Sequence, residues 1–176
     1  MTIPANELSR PVRLDTLGEA TRDLDIEASD AERTALARRF GLLALDRLKA
    51  HVHLHREGQA IAASGRIEAA VSQACVATGE PVPATIDEPF RLRFLPEEMI
   101  GEAEEIELSE EDCDTIPFAG NLIDIGEAVA ETLALALDPF PRSPDADEAL
   151  KAAGVLQEGE AGPFAALKAL KDRLGG

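Results

Sequence analysis

The fold is decided by the stretch Leu48-Lys-Ala-His-Val-His-Leu-His55, in which apolar and polar residues alternate without a break. Successive side chains of a β-strand point to opposite faces, so strict alternation predicts a strand with one buried and one solvated face. The face predicted to be buried carries Leu48, Ala50, Val52 and Leu54. The opposite face carries Lys49 and the chain's three histidines, His51, His53 and His55.

Two further alternating runs follow this strand, each after a turn signal. Glu57-Gly58 separates it from a period-2 stripe over residues 61–77, and residues 79–83 lead into a third run. The third run places its apolar residues at Ile86, Phe90, Leu92 and Phe94. Three runs joined by two short turns predict an antiparallel meander, and the spacing leaves no room for the helix of a βαβ unit.

The residues before the meander predict short strands and a helix. Weaker alternation over residues 9–17 and 24–28 predicts two strands near the N-terminus. Ser29 followed by Glu32 is a capping box, in which each side chain accepts a hydrogen bond from the other residue's backbone N–H. It predicts a helix over residues 30–41.

A second helix is predicted after the meander, over residues 126–137. Asp124 and Glu127 have the spacing of a capping box and mark its start. Its end is set by Asp138-Pro-Phe-Pro141, because proline cannot continue a helix. The apolar face of this helix carries Val129, Leu133, Ala136 and Leu137.

These elements predict an α+β fold, with an antiparallel β-meander of four to six strands and helices packed on it. The sheet could curl towards a barrel. We expect residues 1–142 to form a single α+β domain. Residues 143–176 are predicted to be an acidic linker, rich in Pro, Gly, Asp and Glu, and a short C-terminal helix that begins near Pro163.

The charge of the chain limits the partners it can have. It carries 34 acidic and 17 basic residues and a formal net charge of −17. Such a surface repels nucleic-acid phosphates and anionic lipids and attracts basic partners. No signal peptide, membrane-length apolar run or disulfide framework is evident in the sequence, which predicts a cytoplasmic protein that does not contact a membrane.

The acidic residues concentrate over residues 97–114, where ten of eighteen are acidic and none is basic. Such a tract is either solubilising charge or a docking surface for a basic partner. Glu127 and Glu131 lie one helical turn apart, on a face that is either plain solvated surface or a second docking surface. The predicted partner-binding residues are Glu104, Glu105, Glu107, Glu110, Glu111, Asp112, Asp124, Glu127 and Glu131.

The alternating histidines allow a different interpretation. His51, His53 and His55 are predicted to share one strand face, which is either simply solvated or able to bind a transition metal. A metal-binding protein or metalloenzyme is therefore an alternative, although no cofactor or metal is predicted. Cys75 falls on an apolar stripe and is predicted to be an inert buried thiol. Cys113 lies among carboxylates, which should raise its pKa.

Direct RNA binding is a further alternative, because most of the basic residues precede residue 94. The residues that would contact RNA are Arg33, Arg38, Arg39, Arg47, Lys49, Arg56 and Arg66. No phosphate-binding loop, nucleophile elbow, zinc-protease motif or DNA-binding signature occurs in the sequence. We therefore predict a binding protein and not an enzyme.

Three stretches of the sequence together resemble one bacterial family. The first is Gly65-Arg-Ile-Glu-Ala-Ala-Val-Ser-Gln-Ala-Cys75-Val-Ala-Thr-Gly-Glu-Pro-Val82, followed by Ile86-Asp-Glu-Pro-Phe90 and Phe94. The second is Ile123-Asp-Ile-Gly-Glu-Ala-Val-Ala-Glu131, continuing as Leu133-Ala-Leu-Ala-Leu137-Asp-Pro-Phe-Pro141. The third is Gly162-Pro-Phe-Ala-Ala-Leu-Lys-Ala-Leu-Lys171. Their order is similar to that in the YceD-like proteins, in particular the alphaproteobacterial branch, which are associated with accumulation of large-subunit ribosomal RNA.

The resemblance implies a role in biogenesis of the large ribosomal subunit, without an established catalytic activity or cofactor. The partner it implies is a basic ribosomal protein or a pre-ribosomal large subunit. Many members of the family carry Cys-x-x-Cys at the first stretch. This chain instead has Thr78 three residues after Cys75, which argues against a metal or redox role shared with those members.

Overall fold

The computed structural model describes residues 6–18, 20–100 and 114–155. Its strands are β1 (Pro11–Arg13), β2 (Arg22–Glu27), β3 (Ala44–Glu57), β4 (Ala60–Ala74), β5 (Pro81–Pro96), β6 (Asp114–Phe118) and β7 (Leu122–Asp124). Its helices are α1 (Asp30–Arg39), α2 (Glu97–Ile100), α3 (Ile125–Ala136) and α4 (Ala146–Ala152), and a 3₁₀ turn covers Leu14–Thr16. The chain divides into two compact units. One contains the described residues up to Gln73 together with Pro83–Pro139, and the other contains Ala74–Val82 and the residues from Phe140 onward.

The main sheet has five strands in the order β2-β3-β4-β5-β6. The pair β3–β4 is antiparallel, as predicted for the meander, and β2, which precedes α1, also pairs with β3 in antiparallel fashion. Among the described strands the sheet stays open between β2 and β6 and does not close into a barrel. The fold is therefore α+β, as predicted.

The last strand of this sheet departs from the predicted meander, because β6 pairs with β5 in parallel. Parallel neighbours need a connection of about a dozen or more residues, whereas antiparallel neighbours can be joined by a tight turn. Residues 97–113 lie between the two strands and supply the necessary length. The prediction that consecutive strands pair in antiparallel fashion is therefore wrong for β5 and β6.

The buried faces of the strands are those that the alternation predicts. On β3, Leu48, Ala50, Val52 and Leu54 are all buried, while the three histidines reach solvent. On β5, the predicted inward residues Ile86, Phe90, Leu92 and Phe94 are buried as well. Helices α1 and α3 add Leu36, Val129 and Leu133 to the same core. The core of this unit is thus mainly aliphatic: among the described residues its buried phenylalanines are Phe90 and Phe94 on β5, and Phe40 and Phe118 pack against it partly exposed.

Helix α1 begins with the predicted capping box. The Ser29 Oγ accepts a hydrogen bond from the Glu32 backbone N–H at 3.4 Å, and the Glu32 carboxylate accepts one from the Ser29 N–H at 2.8 Å. The helix ends before Gly41, which has a φ of +66°. Only glycine adopts this conformation without strain, and it is the residue most often found just beyond a helix end.

Strands β1 and β7 form a separate two-stranded antiparallel sheet, with Pro11 opposite Asp124. This pairing brings the segment before β1 against the start of α3. Gly126, in the first turn of α3, lies under that segment, so that a Cβ placed there would be 2.5 Å from the Leu8 carbonyl oxygen. The close approach of two backbones explains why glycine stands at this position.

In the C-terminal half the structure adds one helix to the predicted linker stretch, and two further predictions lie outside the described residues. The stretch predicted as linker contains helix α4, with Ala146 buried. Alanine, glutamate, leucine and lysine are good helix formers and outweigh the nearby prolines and glycines. The helix predicted to begin near Pro163 and most of the acidic tract lie outside the described residues. Within those residues, no helix is both long and apolar enough to span a bilayer.

Replacing Gly126 by alanine should destabilise the protein, because the new methyl group would clash with the backbone atoms Leu8 O and Arg10 N. We expect a loss of about 1–3 kcal/mol in the free energy of unfolding, measured by urea denaturation. Gly18→Ala is the matched control, since a Cβ at that position has no neighbour closer than 4.0 Å. Equal stability of the two variants would contradict the close approach.

Candidate functional site

The carboxylate of Asp124 joins the N-terminal segment to the start of helix α3. As the N-cap of α3, it accepts hydrogen bonds from the helix's own first backbone N–H groups, as predicted. It also accepts hydrogen bonds from residues more than a hundred positions earlier. Its donors are Gly126 N at 3.0 Å, Glu127 N at 3.2 Å, Arg10 N at 2.7 Å, Ser9 Oγ at 2.7 Å and Asn6 Nδ2 at 3.3 Å.

These contacts set the pKa of Asp124. Burial raises it, but the hydrogen bonds from Ser9, Arg10, Glu127 and Asn6 outweigh burial and bring the pKa below its ordinary value of 3.8. The group is therefore fully ionised at neutral pH, with its charge turned towards backbone and side-chain donors of the same molecule. Its main role in this structure is to hold two segments together.

Glu127 is likewise engaged within the molecule, through a bidentate ion pair with Arg39 of α1. The two nitrogen–oxygen distances are 3.0 and 2.7 Å, and the same guanidinium lies 3.0 Å from Glu7. The second arm of the capping box predicted for α3 is therefore replaced by a tertiary contact. Arg39 connects α1, α3 and the N-terminal segment, and its pKa is raised, chiefly by the hydrogen bond to Glu127.

A second ion pair fixes the N-terminal segment to α1. Arg10 donates two hydrogen bonds to Glu32, at 2.7 and 3.1 Å. The hydrogen bond from Arg10 is the main reason that the pKa of Glu32 falls to about 2. Since Glu32 also belongs to the capping box of α1, one carboxylate both starts the helix and binds Arg10 of the N-terminal segment.

Glu131, one turn after Glu127, differs from the other two acidic residues. Its side chain is exposed, and it makes no ion pair or hydrogen bond with any residue that the structure describes. Of the three predicted binding residues on and before α3, Glu131 is thus the one whose charge is available to a partner.

The three carboxylates lie along a groove between α3 and the strands β5, β6 and β7. The groove has a volume of about 230 Å³. Its polar rim consists of Asn6, Asp124, Glu127 and Glu131. Its apolar wall consists of Phe94, Ile116, Pro117, Phe118, Ala119, Leu122, Ile123 and Ala128. Leu122 is 48% exposed, so an apolar side chain is available for contact at the edge of the groove.

The structure therefore brings together Asp124, Glu127 and Glu131, which the sequence selects only for their charge and helical spacing. The six predicted residues of the acidic tract, from Glu104 to Asp112, lie outside the described residues. The apolar wall was not predicted as part of a site. Phe94 was expected only in the core, and the residues of β6 become its neighbours through the parallel pairing that the sequence pattern does not reveal.

The histidines separate into two groups. The imidazoles of His51 and His53 lie beside the aspartates of β2, with His51 Nδ1 2.6 Å from Asp25 Oδ1 and His53 Nδ1 2.6 Å from Asp23 Oδ1. His55 instead contacts Glu57, two residues along its own strand, at 2.8 Å. The set His51, His53 and His55 suggested by the spacing is thus not the set that the fold assembles.

Cys75 is buried, as predicted, with 3% of its surface exposed, and it follows β4 directly. Its sulfur does not lie among apolar groups alone. The Ser143 backbone N–H donates to Sγ at 3.3 Å, and the Ser143 hydroxyl lies 3.5 Å away. Hydrogen bonds from Ser143 and Thr78 lower the pKa of the thiol to about 6. Burial should protect this thiol, but its ionisation is not that of an inert hydrophobe.

The basic residues considered for RNA binding are mostly paired with groups of the same unit. Arg33 pairs with Asp30, Arg39 with Glu7 and Glu127, Arg47 with Glu68, Lys49 with Glu27 and Arg66 with Asp87, while Arg56 donates to the Leu14 carbonyl. Arg38 has no such partner among the described residues. RNA phosphates would have to displace these carboxylates, which lowers the gain expected from each contact.

The fold and the groove define a small α+β protein with an apolar, acid-rimmed groove beside α3. The family described as large ribosomal RNA subunit accumulation protein YceD matches residues 63–171, more than half of the chain. The chain belongs to the YceD family. Comparisons with curated proteins and with solved structures find no match. The matched range includes the strands β5, β6 and β7 and helix α3, and therefore the apolar wall of the groove.

Asp124→Asn should destabilise the protein at neutral pH by about 1–3 kcal/mol, because the amide cannot accept all the hydrogen bonds of the carboxylate. The folded pKa lies below the ordinary value of 3.8, so the stabilisation is complete above that value and is lost as the pH falls through the folded pKa. Chemical denaturation between pH 2 and 7 should therefore show the two proteins converging in acid. Glu131→Gln is the control, and a gap that persists in acid would contradict the role of the charge.

The ionisation of Cys75 can be measured by alkylation. In a Cys113→Ser variant Cys75 is the remaining thiol, since the chain has two cysteines. The rate of reaction with iodoacetamide, slow because of burial, should rise with pH through a midpoint near 6, because the thiolate is the nucleophile. Ser143→Ala should move the midpoint upward. A midpoint near the ordinary value of 9 in the parent variant would show that these hydrogen bonds do not stabilise the thiolate.

Proposed function

We propose that this protein is a non-enzymatic factor in biogenesis of the large ribosomal subunit, which binds a basic segment of a ribosomal protein through the groove beside α3. The partner is met either as the free ribosomal protein or within a pre-ribosomal particle. Membership of the YceD family supports the ribosomal role, since the family's description concerns accumulation of large-subunit ribosomal RNA. The observation that carries the binding mode is the groove, where an apolar wall and an acidic rim meet.

The dimensions of the groove favour a side chain of another protein over a metabolite. Pockets for small ligands usually have volumes of about 300–1,000 Å³, and this groove, at about 230 Å³, is smaller. It can receive one apolar side chain against the partly exposed Phe118 and Leu122. A lysine or arginine close by on the same segment would then lie near Glu131 on the rim.

The charge of the protein supports a basic partner. Ribosomal proteins contact RNA phosphates and therefore carry many Lys and Arg residues, which repel one another when RNA is absent. A chain with a net charge of −17 attracts such a protein over several ångströms and speeds their encounter. In this proposal the long-range attraction comes mainly from the predicted residues of the acidic tract, which are Glu104, Glu105, Glu107, Glu110, Glu111 and Asp112. The groove supplies the short-range contact.

Binding without catalysis is supported by the chemistry of the groove. Its titratable residues are Asp124, Glu127 and Glu131, and the first two are held by internal hydrogen bonds and an ion pair. Acid–base or nucleophilic catalysis usually requires two groups within hydrogen-bond reach of each other and of the substrate. Glu131 alone does not supply such a pair. The protein is proposed to act in the cytoplasm, where the large subunit is assembled.

The groove can be tested with paired variants. Glu131→Gln and Leu122→Ser should each weaken binding to basic large-subunit proteins by about threefold to tenfold, because one removes the exposed charge and the other an apolar contact. Binding is measured by calorimetry with individual purified proteins, and it should weaken as salt rises from 50 to 300 mM.

The controls make the same chemical changes elsewhere. Glu88→Gln removes an exposed charge from β5, roughly 20 Å along the strand from Phe94. Leu43→Ser removes an apolar side chain that is 53% exposed and does not line the groove. If all four variants bind equally well, the groove is not the docking surface. Depletion of the protein from cells should also reduce the ratio of large- to small-subunit RNA, and an unchanged ratio would contradict the ribosomal role.

A further inference from the structure

A cluster of histidine and aspartate side chains lies on the solvent face of strands β2 and β3, and the proposed docking function does not use it. The antiparallel register places Asp25 opposite His51 and Asp23 opposite His53. Cross-strand partners have neighbouring side chains on the same face of the sheet. The alternation that makes β3 amphipathic thus also aligns two imidazoles with two carboxylates.

The geometry of this cluster is close to that of a metal site. The imidazole rings of His51 and His53 have centroids 4.6 Å apart and meet edge to face. One ligand atom each from Asp23, His51 and His53 can be chosen so that all three lie within 4.8 Å of one another. Ligand atoms around a tetrahedral zinc ion, bound at about 2.0–2.1 Å, are roughly 3.3 Å apart. The three side chains are about half exposed and can close that difference by small rotations.

The hydrogen bonds of the cluster orient the imidazoles for such a role. With a proton on His51 Nδ1, the ring donates to Asp25 Oδ1 at 2.6 Å, and its Nε2 lone pair is left for a metal ion. A carboxylate that holds the second ring nitrogen is the usual support of a metal-binding histidine. Asp23 Oδ1 lies 2.6 Å from His53 Nδ1, so with the His53 proton on Nε2 these two atoms face each other and can bind the same ion.

The surroundings of the cluster leave room for an ion and balance its charge. Both imidazoles line an open cleft of about 660 Å³. Two cations, Arg66 and Arg91, line the same cleft, and the Arg66 guanidinium is paired with Asp87. Asp23 and Asp25 therefore give the cluster a net negative charge while the imidazoles are neutral.

We propose that Asp23, His51 and His53 form a binding site for a divalent transition-metal ion such as Zn²⁺, with Asp25 as a positioning residue for His51. Two imidazole nitrogens and one carboxylate oxygen are ligands that suit zinc, and water completes the coordination in open sites of this kind. This set differs from the three histidines that the sequence spacing suggests, because His55 is replaced by an aspartate from the neighbouring strand. The site is separate from the groove beside α3.

The test follows the imidazole signals by NMR in the full chain, prepared without a histidine tag and titrated with Zn²⁺ alone. The chain has three histidines, so each can be assigned by a single substitution. We expect one equivalent of Zn²⁺ to shift the ring signals of His51 and His53 and to leave those of His55 nearly unchanged. Zn²⁺ that moves none of the three rings, including Zn²⁺ that binds only to cysteine thiolates, would overturn the proposal.

Variants then identify the ligands. Asp23→Asn and His53→Gln should each weaken Zn²⁺ binding at this site by at least tenfold, and Asp25→Asn by about tenfold. His55→Gln is the matched control on the same strand and should change the affinity less than twofold. Circular dichroism verifies that each variant is folded. An affinity that is unchanged by Asp23→Asn, or reduced as much by His55→Gln, would reject this ligand set, and an unchanged affinity in Asp25→Asn would reject its positioning role.

Discussion

The structure depends on one half-buried carboxylate, that of Asp124, which is shared between the N-terminal segment and the start of helix α3. Asp124 accepts hydrogen bonds from both, and the neighbouring Gly126 permits the close approach of their backbones. The contact fixes the small sheet of β1 and β7 and sets the direction in which α3 leaves it. The groove beside α3 exists because these elements are held in that arrangement. The residues of the motif Asp124-Ile-Gly-Glu127 are therefore explained by their contacts within the folded protein. Only Glu131, one helical turn further on, has an exposed side chain that is free for contact with a partner.

The acidic residues behind the net charge of −17 are not all equally available at the surface. Many carboxylates of the described residues are matched by a cation of the same unit, as Glu32 is by Arg10 and Glu127 by Arg39. Partly exposed pairs of this kind contribute little to stability individually, but they join into a network around the N-terminal segment. The acidic residues without such partners, which include Glu131, determine the negative charge that a binding partner meets. Counting charges in the sequence therefore overstates the number of α3 carboxylates that are free to bind a partner.

Local patterns predicted most of the fold because each depends on neighbours in sequence. Alternation located β3, β4 and β5 and their buried faces, and capping signals located the starts of α1 and α3. What failed depends on contacts between distant segments. The parallel pairing of β6, the aspartates that face the histidines and the serine that faces Cys75 all come from long-range register or packing. No spacing rule applied to a single sequence contains that information, so the apolar wall of the groove and the cluster on β2 and β3 could not be predicted.

Strand β2 is the outer strand of the described sheet next to β3, and it is notable for its composition. It reads Arg-Asp-Leu-Asp-Ile-Glu, with a charged residue at four of its six positions. An outer strand presents unpaired backbone groups to which the strand of another molecule can add, and charged side chains oppose that addition. Asp23 and Asp25 therefore have a second consequence besides their contacts with the histidines: they help to keep the sheet from joining edge to edge with other copies during synthesis and at high concentration. Charge at the sheet edge and contact with the histidines are thus supplied by the same two side chains.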